Sequence, residues 1–130
     1  MRLLLDTQCW LWMQTSPEKL NDQARELLVD PANVLLLSAA SSWEIAIKYA
    51  LGKLPLPALP ASYVPDRLRS GGVTPLAVSH AHALAVAELP DHHRDPFDRL
   101  LVSQAHLDGL TLLTADRALG AYDVSIVWAN

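Results

Sequence analysis

Apolar residues along this chain come in short runs separated by longer stretches of mixed pattern. Leu3 to Leu5 form a brief, wholly apolar run that ends at Asp6, and Val34 to Leu37 form a second. Runs this short and this apolar are expected as strands buried on both faces of a sheet. Between them, Thr7 to about Gln14 reads as a helix carrying Trp10 and Trp12, broken at Ser16-Pro17. Asn21 opens a helix to about Val29, with Ala24, Leu27 and Leu28 on its inner face. Ser41 is expected to start a helix with Trp43, Ile45, Ala46, Tyr49 and Ala50, ending near Gly52. After the proline-marked connection from Leu54 to Pro60, a helix is expected near Ala61 to Arg69, although Pro65 opposes it.

The second half repeats the alternation. Val73 to Leu76 is a short strand candidate, and Ser79 caps a helix with Ala83, Leu84 and Val86 inside. A polar loop, Asp91-His92-His93-Arg94, leads into Asp95-Pro96, which opens a long helix to about Leu107. Asp108-Gly109 end it. Leu110 to Leu113 form the next strand, Ala115 to Gly120 a turn of helix, and Val124 to Val127 a closing strand. Strands alternating with helices predict a single α/β domain over residues 1–130, three layers deep, with a mostly parallel sheet.

Composition narrows the partners. Hydrophobic residues make up 51% of the 130 and charged residues 18%, apolar for a domain of this size, which points to surface covered by a second copy or a partner. The net charge of −4 argues against binding nucleic acid by bulk electrostatics, but a bound cation would reverse the field locally. Cys9 is the only cysteine, so neither an internal disulfide nor a cysteine zinc site is available, and a cytoplasmic setting is expected. No targeting segment is visible, and the apolar runs are too short to span a membrane.

Four acids punctuate the elements: Asp6 in LLLDT, Glu44 in SSWE, Asp98 in DPFDR and Asp116 in LLTADR. Each has a plain structural reading. Ser41 and Glu44 have the spacing of a capping box, Asp95-Pro96-Phe97-Asp98 is a good helix start, and Asp6 and Asp116 can each cap the helix that follows. Capping explains any one of them; it does not explain a carboxylate at all four points where Ser, Thr or Asn would serve. In a parallel sheet, ligands bind beyond the carboxyl ends of the strands. Carboxylates gathered there repel one another unless a cation sits among them. Oxygen donors without thiolates favour Mg²⁺ or Mn²⁺ over zinc, and such a site hydrolyses phosphate esters. On this reading Asp6, Glu44 and Asp98 hold one ion, and Asp116 orients its water or helps hold a second. Thr114, two residues before Asp116, has a hydroxyl within reach of such a water. Lys48, Arg94, Arg99 and Arg117 are candidates for gripping substrate phosphates, although Lys48 also has the spacing to pair with Glu44. His92 and His93 read as solvated loop residues, and the tryptophans as core.

Four segments, LLLDTQCWLW, SAASSWEIAIKYALGKLPLP, HRDPFDRLLVSQA and LLTADRAL, occur in an order and spacing that resembles PIN-domain ribonucleases, specifically the VapC-type toxins of bacterial type II toxin–antitoxin pairs. The resemblance spans essentially the whole chain. It places the family's acidic quartet on Asp6, Glu44, Asp98 and Asp116, its strand-end hydroxyl on Thr114, and Asp95 in a supporting and capping role. It implies a Mg²⁺- or Mn²⁺-dependent endoribonuclease that forms a homodimer and is inhibited by a small cognate antitoxin. Two alternatives stay open: a PIN-like domain that binds RNA or protein without cutting, and a Mg²⁺-dependent phosphatase. The second would want an acid two residues after Asp6, where Gln8 stands.

Overall fold

A computed structural model describes all residues, 1–130. Five strands, β1 (Arg2–Leu5), β2 (Val34–Ser38), β3 (Val73–Leu76), β4 (Thr111–Thr114) and β5 (Ser125–Trp128), form one sheet in the order β3-β2-β1-β4-β5. Every neighbouring pair is parallel, so the sheet is wholly rather than mostly parallel. β1 lies at the centre, and Leu3, Leu4 and Leu5 are completely buried. That is why its run is uniformly apolar: neither face meets water. Pro75 is accommodated because β3 is an edge strand, paired on one side only.

Six α-helices cover the two faces: α1 (Thr7–Thr15), α2 (Asp22–Val29), α3 (Ala39–Ala50), α4 (Pro60–Gly71), α5 (His80–Ala85) and α6 (Pro96–Asp108). Alternate residues of the strands divide the core. Leu3, Leu5, Leu35, Leu37 and Leu113 meet Cys9, Trp10, Ala24, Ile45 and Val64 on one side. Leu4, Leu36 and Leu112 meet Leu101, Val102 and Ala105 of α6 on the other. Three layers follow from the pleat. No helix is long and apolar enough to cross a membrane.

Most helix boundaries obey local chemistry. The side chain of Asn21 accepts from the Ala24 N–H at the start of α2, and α6 ends at Gly109 with φ 64°, a left-handed conformation glycine adopts freely. α4 tolerates Pro65 and runs from Pro60 to Gly71. The expected start of α3 at Ser41 is corrected. Ser38 caps the helix, accepting from the Ala40 N–H, and α3 begins at Ala39. Ser41 therefore lies inside it, buried, where it accepts a hydrogen bond from the Thr7 hydroxyl at 2.9 Å. The Ser41–Glu44 capping box does not form, and Glu44 is released from that role.

The tryptophans divide as well. Trp10 is core, but Trp43 is 62% exposed and meets Phe97 edge to face at a centroid distance of 5.3 Å. The helix periodicity that buries Ile45 turns Trp43 outward.

Candidate active site

β1 and β4 are adjacent, and the chain leaves them in opposite directions across the sheet: β1 leads on to β2, and β4 to β5. A parallel sheet opens a crevice at such a switch. A cavity of about 420 Å³ lies there, lined by Asp6, Glu44, Asp95, Asp98 and Asp116, with Lys48 and Lys53 as its cations. Acids from four separate stretches of sequence thus converge on one space.

Each acid is held still by the element it begins or sits on. Asp6 follows β1 directly, and its N–H extends the ladder to the Leu113 carbonyl at 3.0 Å. One carboxylate oxygen caps α1 by accepting from the Cys9 N–H at 2.8 Å, and the other accepts from the Thr114 hydroxyl at 2.5 Å. Capping and convergence coexist, because a cap fixes the carboxylate while leaving lone pairs free. Asp116 likewise caps the short helix that follows it, accepting from Ala118 N–H at 3.0 Å. Asp95 caps α6 through the Phe97 N–H at 2.8 Å and also lines the cavity. Asp98 sits one turn into α6 with no backbone partner for its carboxylate. Glu44 is 7% exposed and bonded to Lys48 at 2.8 Å, the i,i+4 pair expected from spacing.

Electrostatics record the crowding. The carboxyl of Asp98 is pushed up to about 7, first by burial and then by the charges of Asp95 and Asp6, with Glu44 adding to them and His93 opposing. Burial also raises Asp6, against the hydrogen bonds it accepts from Thr114 and Cys9. The Cys9 thiol is pushed up by burial and by Asp6, so it is an inert core group.

Several expectations need correction. The Thr114 hydroxyl does not face the cavity. It is fully buried, donates to Asp6 and accepts from the Asp116 N–H at 3.0 Å, so it is a positioning residue that ties two acids together. Arg99 is not free for substrate: it donates to the carbonyls of Val86, Leu89, Pro90 and His93 and to the Tyr122 hydroxyl. Arg117 donates to the Asn130 carbonyl at 2.7 Å and lies over the Trp128 ring. Arg94 is exposed on the loop outside the cavity. Of the four proposed phosphate-gripping cations only Lys48 reaches the site, joined by Lys53, which sequence reasoning passed over. Arg99→Ala is expected to lower stability by about 1–3 kcal/mol, read as an earlier denaturation midpoint, whereas Arg94→Ala should leave that midpoint unchanged.

His93 is the second residue missed. Its Nδ1 accepts from the Asp95 N–H at 3.0 Å, which leaves the proton on Nε2 to be donated to Asp116 at 2.8 Å; Asp98 is 3.5 Å away. His93, Asp98 and Asp116 form a cluster close enough to share one cation. Two loop histidines in a row gave no signal of this, since only the fold turns His93 inward and leaves His92 edge-on against Tyr122.

A family model described as PIN domain matches residues 3–124. Ribonuclease VapC16 of Mycobacterium tuberculosis is 59% identical over 61 residues, a match covering 47% of this chain and 43% of that relative. The match thus spans less than half of the curated relative. Among solved structures, VapBC2 from Rickettsia felis bound to a promoter DNA fragment superposes with a TM-score of 0.75 at 17% identity, covering 100% of both chains. DNA-bound VapBC from Salmonella typhimurium gives 0.71 at 16% identity, covering 98% of each. At these identities the structures establish the shared fold.

Proposed function

The chain belongs to the PIN domain family, and from that premise we propose that it is a metal-dependent endoribonuclease, the toxin of a type II toxin–antitoxin pair. One observation carries the reading: five carboxylates against two ammonium groups in a single cavity, with one carboxyl raised to about 7, first by burial and then by its acidic neighbours. Such a cluster is unfavourable in isolation and becomes favourable around a cation.

The donor set fits a hard divalent ion, Mg²⁺ or Mn²⁺, since it offers carboxylate oxygens and no thiolate. Asp6, Glu44, Asp98 and Asp116 would hold it, with His93 poised between Asp98 and Asp116. When bound, the ion supplies an acidified water and a positive charge opposite the phosphate. The protein's own part is positional. Thr114 holds Asp6 and the backbone of Asp116 in register, and Asp95 anchors the start of α6 so that Asp98 faces the other acids. Lys48 neutralises Glu44, and with Lys53 it supplies the cationic side of the cavity, where a phosphodiester would lie. No Ser, Cys or Lys nucleophile is needed.

The partner expectations rest on exposed apolar surface. Trp43, Leu51, Leu59 and Leu84 are each more than half exposed, which suits burial against a second copy of this chain and a small antitoxin. The relatives in VapBC complexes make the antitoxin the natural partner.

The test is incubation of total RNA with the purified protein in Mg²⁺ or Mn²⁺, and again with chelator. Discrete fragments that require the ion are expected. Metal binding without any cleavage would favour a non-catalytic binding domain instead.

A further inference from the structure

The acid cavity does not end at the acids. Gln8, Leu11 and Leu54 line it and also line an adjoining groove of about 300 Å³ that reaches Trp12, Leu56 and Tyr63. Gln8, Leu11, Trp12 and Thr15 are spaced i, i+3, i+4 and i+7, so they form one stripe along α1 that runs out of the site. Trp12 lies one turn beyond Gln8, about 6 Å along the helix axis. It is half-buried, packed against the core and lining the groove, with the Lys19 ammonium over its ring, 5.9 Å from the centroid. Lys53, on the cavity wall, is exposed, and its neighbour Leu54 lines both spaces.

Carboxylates, then an aromatic face, then a cation make an ordered set. The chemistry that matches it is a phosphodiester at the acids, a flat base against the indole, and a further phosphate near an ammonium. Resting on the nuclease reading above, we propose that this groove is a substrate subsite, in which an unpaired nucleotide next to the scissile phosphate stacks on Trp12 while Lys19 and Lys53 engage the flanking backbone. A single strand is favoured over a duplex because a paired base has its faces covered by its neighbours. Charge favours RNA over a protein segment: Lys19 on the groove wall and Lys53 on the wall of the adjoining cavity suit a backbone that is negative at every nucleotide.

The test is fluorescence anisotropy with a short labelled single-stranded oligoribonucleotide and its duplex, using the Asp98→Asn protein to prevent cleavage. Adding Trp12→Ala is expected to weaken single-strand binding by roughly tenfold, and Trp12→Phe to retain most of it. Lys19→Gln, on an exposed side chain that folding does not need, should lower the dependence of log affinity on log salt by about one. The duplex should bind more weakly than the single strand. Unchanged affinity in both Trp12→Ala and Lys19→Gln would overturn the subsite and leave the groove to a protein segment. The nuclease reading would survive that result if the parent protein still bound and cut RNA. RNA binding absent from the parent would remove both.

Discussion

Replacing Asp98 by Asn is expected to reduce RNA cleavage by about 10²–10³-fold or more while the protein still folds. Asp98 is the cleanest choice among the four acids. Its carboxylate accepts no backbone hydrogen bond, so the amide leaves no helix uncapped. Asp6→Asn should also abolish cleavage, but less cleanly. Asp6 caps α1 with one oxygen and accepts from the Thr114 hydroxyl with the other. An amide nitrogen placed against that hydroxyl would set donor against donor, because the Thr114 oxygen already accepts from Asp116. Fragment yield on a gel measures the first effect, and a thermal melt separates it from unfolding. Full activity in the purified Asp98→Asn protein would sink the assignment.

The second large effect concerns stability, and its sign follows from the burial of Asp98 and then from the same crowding. Without metal, the folded-state value of Asp98 is about 7, against an ordinary value of 3.8. The native protein therefore holds a proton that the unfolded chain has released, and stability falls as pH rises from about 4 through 7. Allowing for solvent at the cavity mouth, where the Asp98 side chain is 22% exposed, the loss by pH 8 is about 2 kcal/mol. That is several degrees in melting midpoint for a domain of this size. Asp6, also raised by burial, acts in the same direction. Asp98→Asn should flatten the curve and make the metal-free variant more stable than the parent at pH 8. Mg²⁺ or Mn²⁺ should reverse the order, stabilising the parent by about 2.7 kcal/mol at a hundredfold excess over the dissociation constant. Melting curves from pH 5 to pH 8, with and without the ion, would refute this if both proteins traced the same line.

The two effects describe one arrangement. If the acids serve to bind a cation, the site is expected to be poorly stable until the cation arrives, and the variant expected to lose activity is the one expected to fold more firmly without metal.

Much of this was legible in the chain. Leu3 to Leu5 had to be a doubly buried strand, because three leucines in a row cannot alternate between core and water. Asn21 and the Asp108-Gly109 pair mark helix ends through chemistry confined to a few residues. Asp6, Asp98 and Asp116 stand at strand ends or helix starts for the same local reasons, and parallel topology predicts that they emerge at one edge. What misled was also local. Ser41 and Glu44 match a capping box in spacing, but Ser38 begins α3 first, and a helix has only one start. Arg99 follows an acid and resembles a substrate contact, but a loop of carbonyls needed its donors more.

The sequence by itself determined most of the elements, several of their caps and the candidate acids, since each depends on neighbours within about one helical turn. Only the tertiary structure decided which side chains meet. Thr114 joining Asp6 across 108 positions depends on β4 pairing beside β1, and His93 reaching Asp116 depends on where the loop before α6 lies against the end of β4. Such neighbours come from the packing of the whole core, and no short stretch of sequence encodes them.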